Sequence, residues 1–361
     1  MILPEMFVIL PNHSPPGHWA FRVDTVVHSI SLAIFGFFTT FGLALVAIRA
    51  LAKHGWLDHP GARKEHSGPI PRTGGIALWL AVCLGQATGW IKLPIEPSEW
   101  VCLHSLALLG ALDDRFNLRS RVKALAGFGL ALTLAIPVAH AFAMDRPEAV
   151  LMAIRIPLTP PYLAIGLLTL WFWAVPQTFN LIDGMNGLAI GTSLIALLAV
   201  QLDIRAGQGA YLLGAVLAVF ILNWPKAFHF LGDCGAYFLG GLLALVALKT
   251  KAFLYPSHAL WIFAYPILDT LQVIIIRLVT HRPLGMGDRN HLHHHLARIL
   301  GRHAAWTVPL LWVQMIALAA RPMYFPSSGP IAWTVLILML IQVIAFIRWA
   351  HVQACRNTSP D

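Results

Sequence analysis

The sequence has 361 residues, of which 58% are hydrophobic and only 11% are charged. A soluble domain carries about 25% charged residues, so this composition excludes an ordinary soluble globular protein and indicates a membrane protein with many spans. The formal net charge of +9 fits basic membrane loops and anionic substrates. Because the basic residues are spread over several loops without a soluble basic domain, we expect no nucleic-acid partner.

Hydropathy predicts an all-α, polytopic membrane helix bundle that forms a single domain over residues 1–361. We expect about eleven transmembrane helices, and ten remain possible because several are short. They lie near residues 26–48, 75–91, 100–113, 124–143, 161–178, 187–202, 209–224, 235–249, 258–279, 304–320 and 330–349. Residues 1–25 are then an outer N-terminal segment and residues 350–361 a cytoplasmic tail.

The distribution of charge predicts the orientation. Seventeen of the 25 Lys and Arg residues fall in the C-terminal tail and in alternate loops, beginning with the loop after the first span. The positive-inside rule places these loops in the cytoplasm and the N-terminus outside. The same loops hold nearly all the unusual polar residues, which is typical of an enzyme at the cytoplasmic surface of a plasma membrane. A transporter would place them near mid-bilayer, where His104, His140 and Asp269 are the main exceptions.

Two adjacent carboxylates, Asp113 and Asp114, end the apolar run that starts at Trp100. Thirteen helical residues rise only about 20 Å, so either the helix continues past the pair or the pair lies recessed at the membrane surface. Alone, it could equally be an ordinary helix end. Lys123 follows on the same loop, and carboxylates beside a lysine favour a hard cation bridged to the lysine by phosphate, as Mg²⁺ sites often are.

The first cytoplasmic loop, residues 58–75, carries donors suited to phosphate, which are Arg63, Lys64, His66 and Arg72. Gly74 and Gly75 directly precede a helix, so we expect their backbone N–H groups to face an anion. The alternative is a basic loop that contacts lipid headgroups.

Two further segments are short and contain glycine. In residues 180–188, Asn180, Asp183 and Asn186 would share one face of a helix, although the glycines predict a local break. A simple turn is the alternative. Asp233 lies next to Gly232 and close to Gly235, which permits close approach of a ligand, but this signal alone is weak.

The last polar loop, residues 281–302, contains His291, His293 and His294. Histidines at this density can donate to phosphate or transfer protons. A transition-metal site and a solvated helix start remain the alternatives.

In this order the polar segments resemble those of the polyprenyl-phosphate N-acetylhexosamine-1-phosphate transferase superfamily. The matching segments are 58–75, 110–123, 180–188, 232–235 and 291–294, so the resemblance covers most of the chain. It implies a membrane bundle of ten or eleven helices, often dimeric. The implied reaction transfers a sugar 1-phosphate from a UDP-N-acetylhexosamine to undecaprenyl or another polyprenyl phosphate, with release of UMP and with Mg²⁺, or Mn²⁺, as cofactor.

The resemblance also implies residue roles. Asn180 and Asp233 are the expected metal contacts, and Lys123 contacts the pyrophosphate. Asp113 and Asp114 activate the lipid phosphate or organise the metal site, and we expect Asp183 to be catalytic with them. The remaining donors are expected to bind substrate: Arg63, Lys64, His66, Arg72, Asn186, His291, His293 and His294.

Within the superfamily the sequence departs from the peptidoglycan branch, the phospho-MurNAc-pentapeptide transferases. That branch typically ends the first loop with Thr-Met-Gly-Gly, whereas this loop ends with Arg-Thr-Gly-Gly at residues 72–75. The branch also has a His-His-His-x-Glu element, and here Ala297 stands in the place of its Glu. The pattern is closer to the UDP-GlcNAc enzymes that start O-antigen and other cell-envelope glycans, such as teichoic acids. The peptidoglycan branch, a transporter and a non-catalytic scaffold stay as alternatives, and the sequence leaves open whether attack is direct or passes through an aspartyl-phosphate.

Overall fold

The structure of the protein is a computed structural model. It describes residues 23–60, 68–145, 148–151, 154–157, 161–201, 209–249, 257–281, 283, 291–301, 304–324, 334, 337–338 and 340–349. Helices dominate this part of the chain, so the predicted all-α class is confirmed. They are α1 Val23–Ala52, α2 Gly74–Ala87, α3 Pro97–Phe116, α4 Ser120–Asp145, α5 Tyr162–Ile182, α6 Leu188–Gln201, α7 Ala210–Asn223, α8 Gly232–Lys249, α9 Ser257–Ile262, α10 Ala264–Val279, α11 Leu292–Ile299, α12 Ala304–Tyr324 and α13 Leu340–Trp349.

Two short antiparallel hairpins, which the hydropathy pattern did not predict, complete the described elements. β1 Leu57–Asp58 pairs with β2 Ile70–Pro71 at the ends of the first loop, and β3 Glu148–Leu151 pairs with β4 Ile154–Pro157 between α4 and α5. Hairpins satisfy backbone N–H and C=O groups that would otherwise lack partners where the chain packs against helices.

Several helices have the length and composition of membrane spans. α1, α4, α5 and α8 contain stretches long and apolar enough to cross a bilayer, and shorter apolar helices accompany them. Large apolar side chains such as Phe35, Phe38 and Val46 of α1 are more than half exposed. Side chains of this kind on the outside of a bundle indicate contact with lipid, so the protein is a multi-pass membrane protein.

Some predicted spans change in the structure. α3 continues past the carboxylate pair to Phe116, which settles that question in favour of a longer helix. The region predicted as one span at 258–279 consists of two helices, α9 and α10, which are separated at Phe263. Pro266 has no N–H for the carbonyl one turn earlier, which explains the interruption. Residues 350–361 and most of residues 1–25 lie outside the described part.

α8 lies at the centre of the bundle and packs against α2, α3, α5 and α6. Its residues from Cys234 to Leu248 are all buried. A helix that is apolar on every side is stable only when protein or lipid surrounds it completely. The position of its first turn, which carries Asp233, is therefore fixed by packing along the whole helix.

The contact of α1 with α7 depends on a small residue. A Cβ atom at Gly36 would lie 2.0 Å from the carbonyl oxygen of Tyr211, whereas a Cβ at Gly42 of the same helix meets no described atom within 4 Å. We expect Gly36→Ala to destabilise the protein by about 1–3 kcal/mol because it forces the helices apart. Gly42→Ala should be neutral or stabilising by up to about 1 kcal/mol. Thermal unfolding in detergent checks both, and equal melting temperatures would contradict the close contact.

Candidate active site

The first element of the site joins three helices through Lys123. Its ammonium donates to Oδ2 of Asp113 at 2.7 Å and to Oδ2 of Asp233 at 3.1 Å. The turn that makes this possible starts at Asn117, which ends α3 in the left-handed conformation with φ 53°. Oδ1 of Asp113 accepts the N–H of Leu118 in the same turn at 2.7 Å. Asp113 is thus held on both sides, facing the lysine.

Asp114 has a different environment from its neighbour. Its Oδ1 accepts the backbone N–H of Asp233 and its Oδ2 accepts that of Cys234, each at 3.0 Å. The carboxylate therefore caps the N-terminus of α8, where free N–H groups and the helix dipole favour negative charge. Gly232 has φ +72°, and a Cβ there would lie 2.6 Å from Oδ2 of Asp114, so only glycine fits this approach.

The segment after α5 reaches the same place. α5 ends at Ile182, Asp183 is its C-cap and α6 begins at Leu188, so the predicted break is confirmed. Asn180 lies within hydrogen-bonding reach of the Asp233 carboxylate. Desolvation, followed by repulsion from Asp233 and Asp114, raises the pKa of the Asp183 carboxyl well above its usual range. Three carboxylates from three parts of the sequence thus share one electrostatic environment.

A buried asparagine that sequence reasoning missed holds this segment in place. Oδ1 of Asn223 accepts the N–H of Gly187 at 2.6 Å, and its Nδ2 donates to the carbonyl of His229 at 2.9 Å. Asn223 is 2% exposed. Its only signal in the sequence is a polar residue at the end of an apolar helix. Asn186, which is predicted to bind substrate, donates to the carbonyl of Pro225 at 3.3 Å.

The backbone N–H groups at the end of the first loop bond within the protein, which differs from the prediction. Gly74 donates its backbone N–H to the carbonyl of Phe230 at 2.9 Å, and Gly75 donates to that of Leu231 at 2.8 Å. The expectation that these N–H groups face an anion is therefore wrong. Both glycines are buried, and a buried N–H needs a partner within the protein.

One of the basic residues predicted in the first loop, Arg72, lies close to the site. Arg72 forms an ion pair with Asp58, its neighbour across the β1–β2 hairpin, and also interacts electrostatically with Asp114 and Asp233. Arg63, Lys64 and His66 lie outside the described residues.

The histidines form the start of α11, a helix that was predicted only as an alternative. His291 is the residue before the helix, and His293 is fully buried. A Cβ atom at Gly184 would lie 3.1 Å from Nε2 of His293 and 3.3 Å from Nε2 of His294. The histidine segment therefore contacts the turn that follows Asp183.

This collection of side chains fits a divalent cation. Asp113 and Asp233 pair with Lys123, the carboxylates of Asp114 and Asp183 lie in the same electrostatic environment, and Arg72 is already paired with Asp58. Negative charge is thus in excess at a partly desolvated place. Carboxylate and amide oxygens are the ligands that Mg²⁺ prefers, and its charge would relieve the repulsion among the carboxylates.

Fold and site together define a multi-pass membrane enzyme whose carboxylates and lysine meet at one end of the helix bundle. A family model described as glycosyl transferase family 4 matches residues 98–251, a range that contains Asp113, Lys123, Asp183 and Asp233. Matches to curated proteins extend over most of the chain. Over residues 98–251 the chain is thus similar to glycosyl transferase family 4.

Curated relatives carry closely similar names. The protein named "Probable undecaprenyl-phosphate N-acetylglucosaminyl 1-phosphate transferase" of Bacillus subtilis (strain 168) is 29% identical over 288 residues, 76% of this chain and 78% of that protein. The undecaprenyl-phosphate alpha-N-acetylglucosaminyl 1-phosphate transferase of Escherichia coli O157:H7 is 27% identical over 338 residues, 87% of this chain and 88% of that protein. The Salmonella typhi protein of the same name is 28% identical over 287 residues, 74% and 75% of the two chains.

The role of Asn223 can be tested by stability. Asn223→Ala leaves the N–H of Gly187 and the carbonyl of His229 without partners, and we expect a loss of about 1–3 kcal/mol for each group. Asn186→Ala removes a single exposed contact and should change stability by less than about 0.5 kcal/mol. Chemical unfolding of the two purified variants measures the difference. Similar values for both would show that Asn223 does not hold the turn.

Proposed function

We propose that this protein transfers N-acetylglucosamine 1-phosphate from a UDP-sugar to undecaprenyl phosphate and releases UMP. The observation that carries the proposal is the position of the Lys123 ammonium. Lys123 belongs to α4, and its ammonium is held by Asp113 of α3 and Asp233 of α8. The names of the relatives supply the sugar and the lipid. The product would be the lipid-linked first sugar of a cell-envelope glycan.

In the proposed reaction an oxygen of the lipid phosphate attacks the β-phosphorus of the UDP-sugar. A P–O bond forms there, and the bond from that phosphorus to the bridging oxygen breaks, so UMP leaves with the bridging oxygen. The anomeric C–O bond is untouched, and the sugar keeps its configuration. Such a transfer depends mainly on positioning and on stabilising negative charge.

Lys123 is suited to that task. An ammonium group has three N–H donors, and the two carboxylates take two of them. Among the described residues the third has no partner, and we propose that it donates to a phosphate oxygen. The side chain of Lys123 is 21% exposed, so a ligand can reach it. Since Asp113 and Asp233 fix the ammonium in advance, little reorganisation is needed when charge develops on the phosphates.

We further propose that Asn180, Asp183 and Asp233 hold Mg²⁺, for which Mn²⁺ can substitute. The ion supplies charge neutralisation for the pyrophosphate. In this arrangement Asp114 keeps the first turn of α8, and with it Asp233, in place.

The site is proposed to lie at the cytoplasmic face of the inner membrane, as the distribution of Lys and Arg favours. A cysteine at the exposed position Arg115, in a chain without Cys355, should react with an impermeant thiol reagent only from the cytoplasmic side. Labelling from outside would contradict this orientation.

The decisive experiment is UMP release by the purified protein with undecaprenyl phosphate and a panel of UDP-sugars. We expect turnover with UDP-GlcNAc, whereas turnover only with UDP-MurNAc-pentapeptide would assign the peptidoglycan reaction instead.

Lys123→Met should lower kcat by a factor of about 10²–10³, the usual effect of removing one preorganised charge contact. Lys123→Arg should retain part of the activity. Arg121→Met removes an exposed cation two residues away and should leave kcat unchanged; equal losses would show only a general charge effect.

Metal dependence gives an independent test. EDTA should abolish UMP release, and added Mg²⁺ or Mn²⁺ should restore it, because oxygen ligands suit hard cations. Asp233→Asn should remain folded, as judged by its melting temperature, and lose nearly all activity. Full activity in EDTA would remove Asp233 from a metal role and would direct attention to the histidines.

A further inference from the structure

An isolated carboxylate in an apolar helix stands outside the site described so far. Asp269 lies within α10 and is fully buried. Its partners among the described residues come from the start of α11. Oδ1 accepts the backbone N–H of Leu292, and Oδ2 lies 2.8 Å from Nδ1 of His291 and 3.4 Å from Nδ1 of His293. A buried charge without partners is costly, so the contacts with the start of α11 are needed to stabilise this carboxylate.

The contacts of Asp269 determine which way the imidazoles face. The residue before α11, His291, makes no side-chain cap, and Asp269 provides that function from another helix. Because Nδ1 of His291 and of His293 face the carboxylate, their Nε2 atoms are directed away from it. Neither ring nitrogen of His293 has a hydrogen-bond partner among the described residues: Nδ1 lies at ion-pair distance from Asp269, and Nε2 lies next to Gly184.

The two histidines that follow act as one unit. The ring centroids of His293 and His294 are 4.3 Å apart, and the Nε2 atoms of both approach Gly184. Gly184 directly follows Asp183, whose carboxyl belongs to the site. The chain of contacts therefore runs from Asp269 through the imidazoles to the turn at Asp183.

We propose that Asp269 is a positioning residue for the diphosphate of the UDP-sugar. It fixes the start of α11 through the N–H of Leu292 and the ring of His291, so that the Nε2 atoms of His293 and His294 are held at the Asp183–Gly184 turn. This inference rests on the proposed function, since it names the ligand of that same site.

The same side chains, Asp269, His291 and His293, also form a group whose ligand atoms lie within 4.8 Å of one another, as a metal site would require. The contacts favour direct hydrogen bonds. One carboxylate oxygen is engaged by a backbone N–H, and the other lies at ordinary hydrogen-bond distance from His291. A bound metal is therefore an outcome of the test that would overturn the proposal.

The test compares Asp269→Asn, Asp269→Glu and the neighbouring control Thr270→Val, whose hydroxyl has no partner among the described residues. For Asp269→Asn we expect KM for UDP-GlcNAc to rise about ten- to a hundredfold, the effect of one charge-assisted hydrogen bond. KM for undecaprenyl phosphate should stay the same, and Asp269→Glu should recover part of the loss. A merely structural defect would lower the amount of active enzyme and leave both KM values unchanged.

A double-mutant cycle sharpens the test. If Asp269 acts through His293, then Asp269→Asn combined with His293→Gln should raise KM no more than the stronger single change. Additive effects would overturn the proposal. So would a normal KM in Asp269→Asn, or one equivalent of zinc or another transition metal in the wild-type protein that Asp269→Asn loses.

A measurement without turnover separates this inference from the proposed function. Diethyl pyrocarbonate labelling, read by mass spectrometry, should spare His293 in the wild type and reach it at least several times faster in Asp269→Asn. Thr270→Val should label as the wild type does. If no UDP-sugar yields UMP, the proposed function fails while labelling still decides the orientation. Unchanged labelling of His293 overturns the proposal whether or not UMP is released.

Discussion

The interaction on which the site depends is the carboxylate of Asp114 against the first turn of α8. Both of its oxygens accept backbone N–H groups of that turn, so α3 and α8 are joined at the point where the chemistry lies. Residues Cys234 to Leu248 of α8 are all buried, so the helix cannot slide or rotate without disturbing α2, α3, α5 and α6. Two constraints therefore fix the position of Asp233. One is the local pair of hydrogen bonds from Asp114, and the other is the apolar packing along the whole of α8.

Two adjacent aspartates thus take different parts. Asp113 faces Lys123 and the turn that follows α3, and it lies beside the place where a ligand would bind. Asp114 faces the helix terminus, and its contacts are with the backbone. Neighbouring residues near the end of a helix point about 100° apart, so a pair in sequence cannot serve one small site symmetrically. The geometry assigns one carboxylate to the lysine and the other to the scaffold.

The sequence predicts much of this arrangement, for a physical reason. Charged and amide side chains are costly within an apolar slab, so their positions mark helix ends, and one end of the bundle collects Asp113, Lys123, Asp183 and Asp233. What the sequence does not reveal are the partners. Gly74 resembles an anion-binding helix start, yet its N–H pairs with Phe230, and Asn223 gave no signal that it would hold the turn at Gly187. Such pairings depend on which backbone groups are left without partners once distant segments pack.

Asp183 and Gly184 lie between two layers of polar side chains, the carboxylates with Lys123 and the histidines of α11. On one side are carboxylates and a lysine, which suit a cation and its phosphate ligands. On the other are imidazoles held by a carboxylate in α10, which suit phosphate oxygens directly. A diphosphate placed at this turn would lie between Lys123 and the carboxylates on one side and the imidazoles of His293 and His294 on the other. The first layer is not complete alone, because its carboxylates would repel an uncompensated diphosphate. Close packing against a residue without a side chain brings the two layers within reach of one ligand.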